Sequence, residues 1–437
     1  MSLKNLKIML VSPKGQFFSK NEKFYDFIKN SKEMKTVVRY WNGTGAGLQT
    51  IAGLTPGDHE ITIIDENFEE INFDFPADIV GITAMTQQAK RAYAIAGEFK
   101  KRGRYVVMGG IHATVMPEEA RKQVNTVFIG ESENTWPSFI YDYLNNSQKK
   151  MYRQSDYGPV DMKNIPLPRY DLISKYQYPI IWVQTTRGCP HDCEFCAAST
   201  IYGFKYKHKD INQIIKEIQE VKKYWKFSHI GFADDNMFVN RKFSKELLRE
   251  FRDLNLSWIA QTDISVAEDD EFLKELRKNG CRILFIGFES VSKKNLAGIN
   301  KNNWKEDKYN NYGKYIDIIQ RNGIGIYGAF IIGFDEDNEH TADEISNFVN
   351  DNNLLGAQIT ILTPHPGSRL RERLRKENRI ITDDWDYYTT WDAVIKHNNL
   401  TTKQLENSLM NIYKSIYNYD RVNSKALYFK KIFEKLA

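Results

Sequence analysis

Two successive runs of apolar strand segments alternating with amphipathic helical segments predict an α/β chain, because that alternation is what parallel strands with crossover helices require. The first run reads as a doubly wound parallel-sheet (Rossmann-like) domain, and the second as a six-unit (β/α)6 partial TIM barrel. A small, mostly helical region follows. The third observation is a cluster in a cysteine-poor sequence: Cys189, Cys193 and Cys196, three of four cysteines in 437 residues, follow the first strand of the second run.

In the first run the stretches 7–12, 61–66, 79–83 and 106–110 are apolar without alternation, as strands covered on both faces are, and 127–131 adds a fifth. Residues 87–102 carry a helical pattern that stops at Gly103, a residue suited to the left-handed turn after a helix. These elements delimit a domain over 1–145. Ligands of such sheets bind beyond the strand C-termini, where the chain offers Thr83, Met85, Gly109, Gly110, His112, Thr114 and Glu131. Residues 146–177, with Pro159, Pro166 and Pro168, read as a linker.

The second run begins with a strand at 178–183 and continues with strands at 229–233, 257–263, 282–290, 326–333 and 357–364. Helices over 211–225, 242–254, 270–278, 312–321 and 339–351 separate them. Six units over 178–366 make an incomplete version of the eight-unit barrel, whose site lies at the strand C-termini. On that rim fall Asp234 and Asp235, Gln261 and Asp263, Glu289, Gly333 and Asp335. Acids at strand-to-helix junctions are also ordinary helix caps. Cys281 opens the fourth strand at its far end and reads as a small core residue, while the polar stretch 300–311 reads as a mobile loop near the rim. From 367 to 437 a helical cap is expected, with a helix over 400–419. Its aromatics Trp385, Tyr387, Tyr388 and Trp391 either line a substrate pocket or pack the cap.

Gly188 and Pro190 shape the turn that carries the three thiols. Three thiolates on so short a loop can surround one soft metal centre, whereas a closed zinc site needs four ligands. A [4Fe–4S] cube held by three cysteines keeps one iron open. A zinc knuckle completed by His191 or a distant residue, and unligated core cysteines, are the other readings. The spacing Cys-x3-Cys-x2-Cys, with Phe195 before the last cysteine, resembles the radical S-adenosylmethionine (SAM) superfamily. That resemblance implies a [4Fe–4S] cluster on Cys189, Cys193 and Cys196 whose open iron chelates SAM, and reductive cleavage of SAM to a 5′-deoxyadenosyl radical. It implies Phe195 near the adenine, Glu289 near the SAM ribose and Asp234 or Asp235 on the SAM amino group, with Gln261 on the same cofactor rim. A reductant such as flavodoxin or ferredoxin is the expected protein partner.

The first domain is similar to the cobalamin-binding domain that precedes the radical-SAM core in one subclass of the superfamily. The shared features are a Thr-x-Met element at Thr83 to Met85 and the pair Gly109 and Gly110, where bare backbone lets the corrin or its nucleotide tail approach closely. The chain departs from the Asp-x-His-x-x-Gly motif that puts a histidine on cobalt, since residues 12–17 contain none. Cobalamin is therefore expected without a protein histidine on the metal, the segment 14–40 supplying a cover. His112 reads as a loop or tail contact. The subclass implies a C-methyltransferase acting on an unactivated carbon. Cyclisation, oxidation or rearrangement is the alternative chemistry, and a cluster- or zinc-containing binding protein is the non-enzyme alternative.

Charge is nearly balanced, 61 basic against 56 acidic residues, with no concentrated basic tract to argue for nucleic acid. No apolar run approaches the roughly 18 residues of a membrane span. Four cysteines, three of them clustered, make no disulfide framework, so a reducing cytoplasm is the expected compartment. No motif identifies the substrate.

Overall fold

The computed structural model describes residues 5–436 apart from 16–18, 42–44, 204, 227–228 and 301. Strands β1 (Lys7–Ser12), β2 (Glu60–Asp65), β3 (Ile79–Thr83), β4 (Tyr105–Gly109), β5 (Thr126–Ile129) and β6 (Met151–Arg153) form a parallel sheet ordered β2-β1-β3-β4-β5-β6. The chain leaves β1 on one side for β2 and on the other for β3, which makes the C-terminal end of β1 and β3 the switch point where open α/β sheets hold ligands.

Two stretches before the half-barrel depart from the sequence reading. β6 lies inside the expected linker and pairs in parallel with β5. Tyr152 is buried there, its ring stacked on Phe128 with centroids 5.5 Å apart. Residues 22–54 contain helices Glu22–Asn30, Lys32–Trp41 and Gly47–Leu54. Phe24 of the first packs on Trp391 and Tyr413, centroids 6.3 and 5.5 Å away, so this helix docks on the C-terminal region. Part of the expected cover at 14–40, residues 16–18, lies outside the described residues.

The core strands are β7 (Ile180–Val183), β10 (His229–Phe232), β11 (Trp258–Thr262), β12 (Cys281–Glu289), β13 (Gly325–Ile332) and β14 (Gly356–Ile361). They lie in the order β14-β13-β12-β11-β10-β7, every neighbour parallel. This is a half-barrel with two free edges. Between β7 and β10 the chain adds a short antiparallel ladder, β8 (Thr186–Arg187) with β9 (Lys207–His208), which returns the backbone after the cysteine loop.

Helix Thr402–Ile416 and the residue after it cover the β14 edge. Tyr413 and Tyr417 place their hydroxyls on it, accepting from Ile359 N at 3.1 Å and Ala357 N at 2.9 Å. Exposed strand edges invite pairing with other chains, and here phenol oxygens stand in for the missing strand. The stretch 300–311 is not a loop throughout: Trp304–Tyr309 is a helix, and its Lys305 is buried. A last helix, Tyr419–Leu436, extends the cap. Among the described residues no helix is long and apolar enough to cross a membrane.

The turn between helix Asp270–Lys278 and β12 depends on Gly280, which has φ +93 and whose missing Cβ would lie 2.0 Å from Leu256 O. Gly280→Ala is expected to destabilise the protein by more than the roughly 1–2 kcal/mol of the left-handed conformation alone. Gly97, in helix Ala89–Lys101, has nothing within 4 Å of an added Cβ, and Gly97→Ala should gain about 0.5–1 kcal/mol. Thermal unfolding of the two variants should move the melting temperature in opposite directions.

Candidate functional site

The cysteine loop is aimed by the carboxylates that end β10. Asp234 is fully buried and accepts from Thr185 N at 2.8 Å, Thr185 Oγ1 at 2.6 Å and Thr186 N at 2.7 Å. It therefore fixes the backbone leaving β7 and points inward, away from the cofactor role expected of it. Burial lifts its carboxyl to about 6 against those hydrogen bonds. Asp235 accepts from Gly188 N at 3.0 Å and remains beside the thiols. Gly188 has φ +88, and a Cβ there would meet Lys205 O at 2.7 Å, so the turn admits only glycine.

Burial pushes the Cys189 thiol up to about 11 and that of Cys193 up to about 12, and raises Cys196 too. The three thiols influence one another: Cys189 and Cys196 feel Asp235, and Cys193 and Cys196 feel Glu289 and Lys305. They share one neighbourhood, although among the described residues no three His, Cys, Asp or Glu side chains are gathered at metal-binding distance. The donor set suits a soft cationic centre, since buried thiols of this kind become thiolates only against a compensating positive charge. His191 is not a further ligand in this arrangement. Its Nε2 lies 3.0 Å from Asp263 Oδ2, and its ring centroid 4.3 Å from that of Trp304. Burial works against the Asp263 charge, yet hydrogen bonds from His191, Ser265 and Asn236 hold its carboxyl well below the usual range.

Glu194 ties the loop to its surroundings, its N–H donating to Ile299 O at 2.9 Å and its carbonyl accepting from Leu370 N at 2.8 Å. Phe195 is half-buried and edge-on to Phe334, centroids 6.3 Å apart. Gln261, half-buried at the end of β11, accepts through its carbonyl from Met237 N at 3.0 Å. Glu289 ends β12 at φ +66, its carboxylate paired with Lys305 at 2.9 Å.

At the first sheet a cleft of about 1250 Å³, its open mouth included, lies over the strand ends. Thr83, Gly109, Gly110 and Glu131 line it from one side, and Gln184, Arg187, Tyr202 and Ala233 from the other. Gly110 has φ +88, and a Cβ would fall 2.5 Å from Thr83 Oγ1. Gly45 and Gly47 also line the cleft with bare backbone, and a Cβ on either would meet nothing within 4 Å. A large, mostly apolar ligand fits such a cradle. No histidine is among the described residues lining it.

Two expected contacts stand elsewhere. Met85 is 49 % exposed and outside the cleft. His112 is fully buried, with Nε2 2.9 Å from the Tyr93 hydroxyl and its ring beside Trp385, and burial lowers its pKa. Glu131 lines the cleft, but its carboxylate is engaged by Arg187 at 2.7 Å and Lys207 at 2.7 Å. Arg187 also pairs with Glu133 at 2.6 Å and is buried. Sequence reading missed Arg187 and Lys305, since an isolated basic residue reads as a solvated one. The placement of Arg187 two residues before Cys189 was the only signal.

Family models match twice: the radical SAM superfamily over residues 183–349 and the B12 binding domain over residues 41–140. The chain is 31% identical to bacteriochlorophyllide d C-8(2)-methyltransferase of Chlorobaculum tepidum, over 87% of each chain. It is 29% identical to the C-12(1)-methyltransferase of the same organism, over 84% of this chain and 81% of that one. It shares its fold with the radical S-adenosylmethionine methyltransferase TsrM of Kitasatospora setae, solved with cobalamin and a [4Fe–4S] cluster, at TM-score 0.67 and 12% identity over 95% of this chain and 90% of that one.

Removing the Arg187 cation takes the partner from the Glu133 carboxylate and leaves Glu131 with Lys207 alone. Arg187→Met is expected to destabilise the protein by about 3–5 kcal/mol, the usual cost of orphaning a buried charge. Chemical denaturation should register that loss, and Glu133→Gln in the same background should recover part of it.

Proposed function

The chain belongs to the radical SAM superfamily, in the branch with an N-terminal B12-binding domain, and is a cobalamin-dependent methyltransferase; from that premise we propose that it methylates an unactivated carbon. Enzymes of this kind use a [4Fe–4S] cluster, SAM and cobalamin, which when bound supply an electron for SAM cleavage, a hydrogen-abstracting radical and a transferable methyl group.

One observation carries the reading: the cleft over Gly109 and Gly110 is also walled by Gln184, Arg187 and Ala233 of the half-barrel. Methyl transfer to a carbon activated at the second sheet needs one continuous space between the two cofactor faces. In this reading Cys189, Cys193 and Cys196 hold the cluster, while Asp235 and Glu289 border SAM. Thr83, Gly109 and Gly110 cradle cobalamin with backbone and small side chains. Asp234 and Arg187 do no chemistry and keep the cysteine loop at a fixed angle to the first sheet. Residues 1–145 form the cobalamin unit, 146–177 the crossing with β6, 178–366 the SAM half-barrel and 367–437 its cap. The relatives named for bacteriochlorophyllide d make a tetrapyrrole side-chain carbon the first substrate to test.

Anaerobically reconstituted protein, a low-potential reductant, SAM labelled in its methyl group and bacteriochlorophyllide d should together yield 5′-deoxyadenosine and a labelled tetrapyrrole. Label in no carbon product of any candidate, despite SAM cleavage, would sink carbon methylation. Iron and sulfide should be about four each per chain. The triple Cys189→Ala, Cys193→Ala, Cys196→Ala variant should lose both, and Cys281→Ala should keep them.

With no histidine among the described cleft residues, the electron paramagnetic resonance spectrum of cobalamin bound in its Co(II) state should be unchanged when the protein alone is labelled with 15N. A nitrogen splitting that changes with that label would contradict the expected histidine-free lower face.

A further inference from the structure

The stretch 300–311 holds a buried ammonium group. Lys305 is 5 % exposed, and lysine is almost never so buried without a partner. Its Nζ donates to Glu289 Oε1 at 2.9 Å and to Gly287 O at 2.8 Å. Three further features converge on that pair. Glu289 is a non-glycine residue at φ +66, a conformation that persists only where the surroundings hold it. Gly287 leaves room for the folded-back carboxylate, since a Cβ there would stand 2.3 Å from Glu289 Oε1. The residue before Lys305, Trp304, packs its ring 4.3 Å from that of His191, between Cys189 and Cys193.

We propose that Lys305 is a positioning residue of the SAM site, holding the Glu289 carboxylate folded back in its left-handed conformation at the end of β12. A buried charge-assisted hydrogen bond fixes the direction of a carboxylate, so the ammonium group orients Glu289 without touching the ligand itself. Helix Trp304–Tyr309 thereby couples the cysteine loop to the end of β12. This inference rests on the assignment of the cluster to Cys189, Cys193 and Cys196. The bland rival is a buried ion pair that only stabilises the fold.

The test uses the full chain, reconstituted anaerobically, as Lys305→Arg, Lys305→Met, Glu289→Gln and the double variant Lys305→Met, Glu289→Gln. Iron content and SAM affinity are measured on each. All four should load a full cluster. Lys305→Arg should stay close to wild type in SAM affinity, Lys305→Met should bind SAM at least tenfold more weakly, and the double variant should bind it no more weakly than Glu289→Gln alone, because Lys305 acts through that carboxylate. If Lys305→Met fails to fold, Lys305→Gln takes its place. A loaded cluster with wild-type SAM affinity in Lys305→Met or Lys305→Gln would overturn the proposal while leaving the cluster assignment intact. Failure of the wild-type protein to assemble a cluster would overturn both.

Discussion

A single guanidinium sets the relation between the two sheets. Arg187 sits in the two-residue strand β8, directly across from Lys207 of β9. Like charges opposed across a ladder repel, so this hairpin has no reason to form alone. Glu131 and Glu133, from the segment after β5, supply the missing charge. Glu131 binds both cations, and Glu133 binds Arg187. Four buried or half-buried charges then sum to zero. Buried pairs of this sort contribute more to a unique geometry than to stability, because desolvation offsets much of the attraction. What they specify here is the exit direction of the cysteine loop, which begins two residues later.

The core of the molecule was largely legible in the sequence. The runs at 7–12, 79–83 and 270–278 coincide with observed elements, and the half-barrel strands shift by at most a few residues at their ends. Long apolar runs bounded by turn residues make such elements hard to mistake. Elements too short for any periodicity were not legible: β6 has three residues, and β8 and β9 two each. They exist because tertiary partners supply what the local sequence lacks, Phe128 for Tyr152 and Glu131 for Lys207. The helix Glu22–Asn30 was missed because its apolar face, through Phe24, serves the distant cap.

The site was legible in its residue types and less so in its directions. Thr83, Gly109, Gly110 and Glu131 do line one cleft, and Asp235 and Glu289 do border the thiols. Asp234 has the right address but turns inward, because three donors from Thr185 and Thr186 await it. His112 lies one residue from a cleft-lining position, yet the helix that starts at Gly110 rotates it towards Tyr93 and Trp385. Sequence position fixes which strand end a residue occupies, and only the local backbone decides which way it faces.

The half-barrel ends in two unpaired strands, and this has a mechanical meaning. A closed barrel has a circumference set by its ladder, so widening it means breaking hydrogen bonds. β7 and β14 share no ladder, and β14 already satisfies two of its N–H groups on the phenols of Tyr413 and Tyr417. The gap between the strands can therefore change at no cost in hydrogen bonds, while each strand keeps its own register. The width of that seam is set by its side chains and by the cap beside it, not by the strand count. Changing side chains there would alter that width while leaving the six-strand scaffold and its cysteine loop untouched.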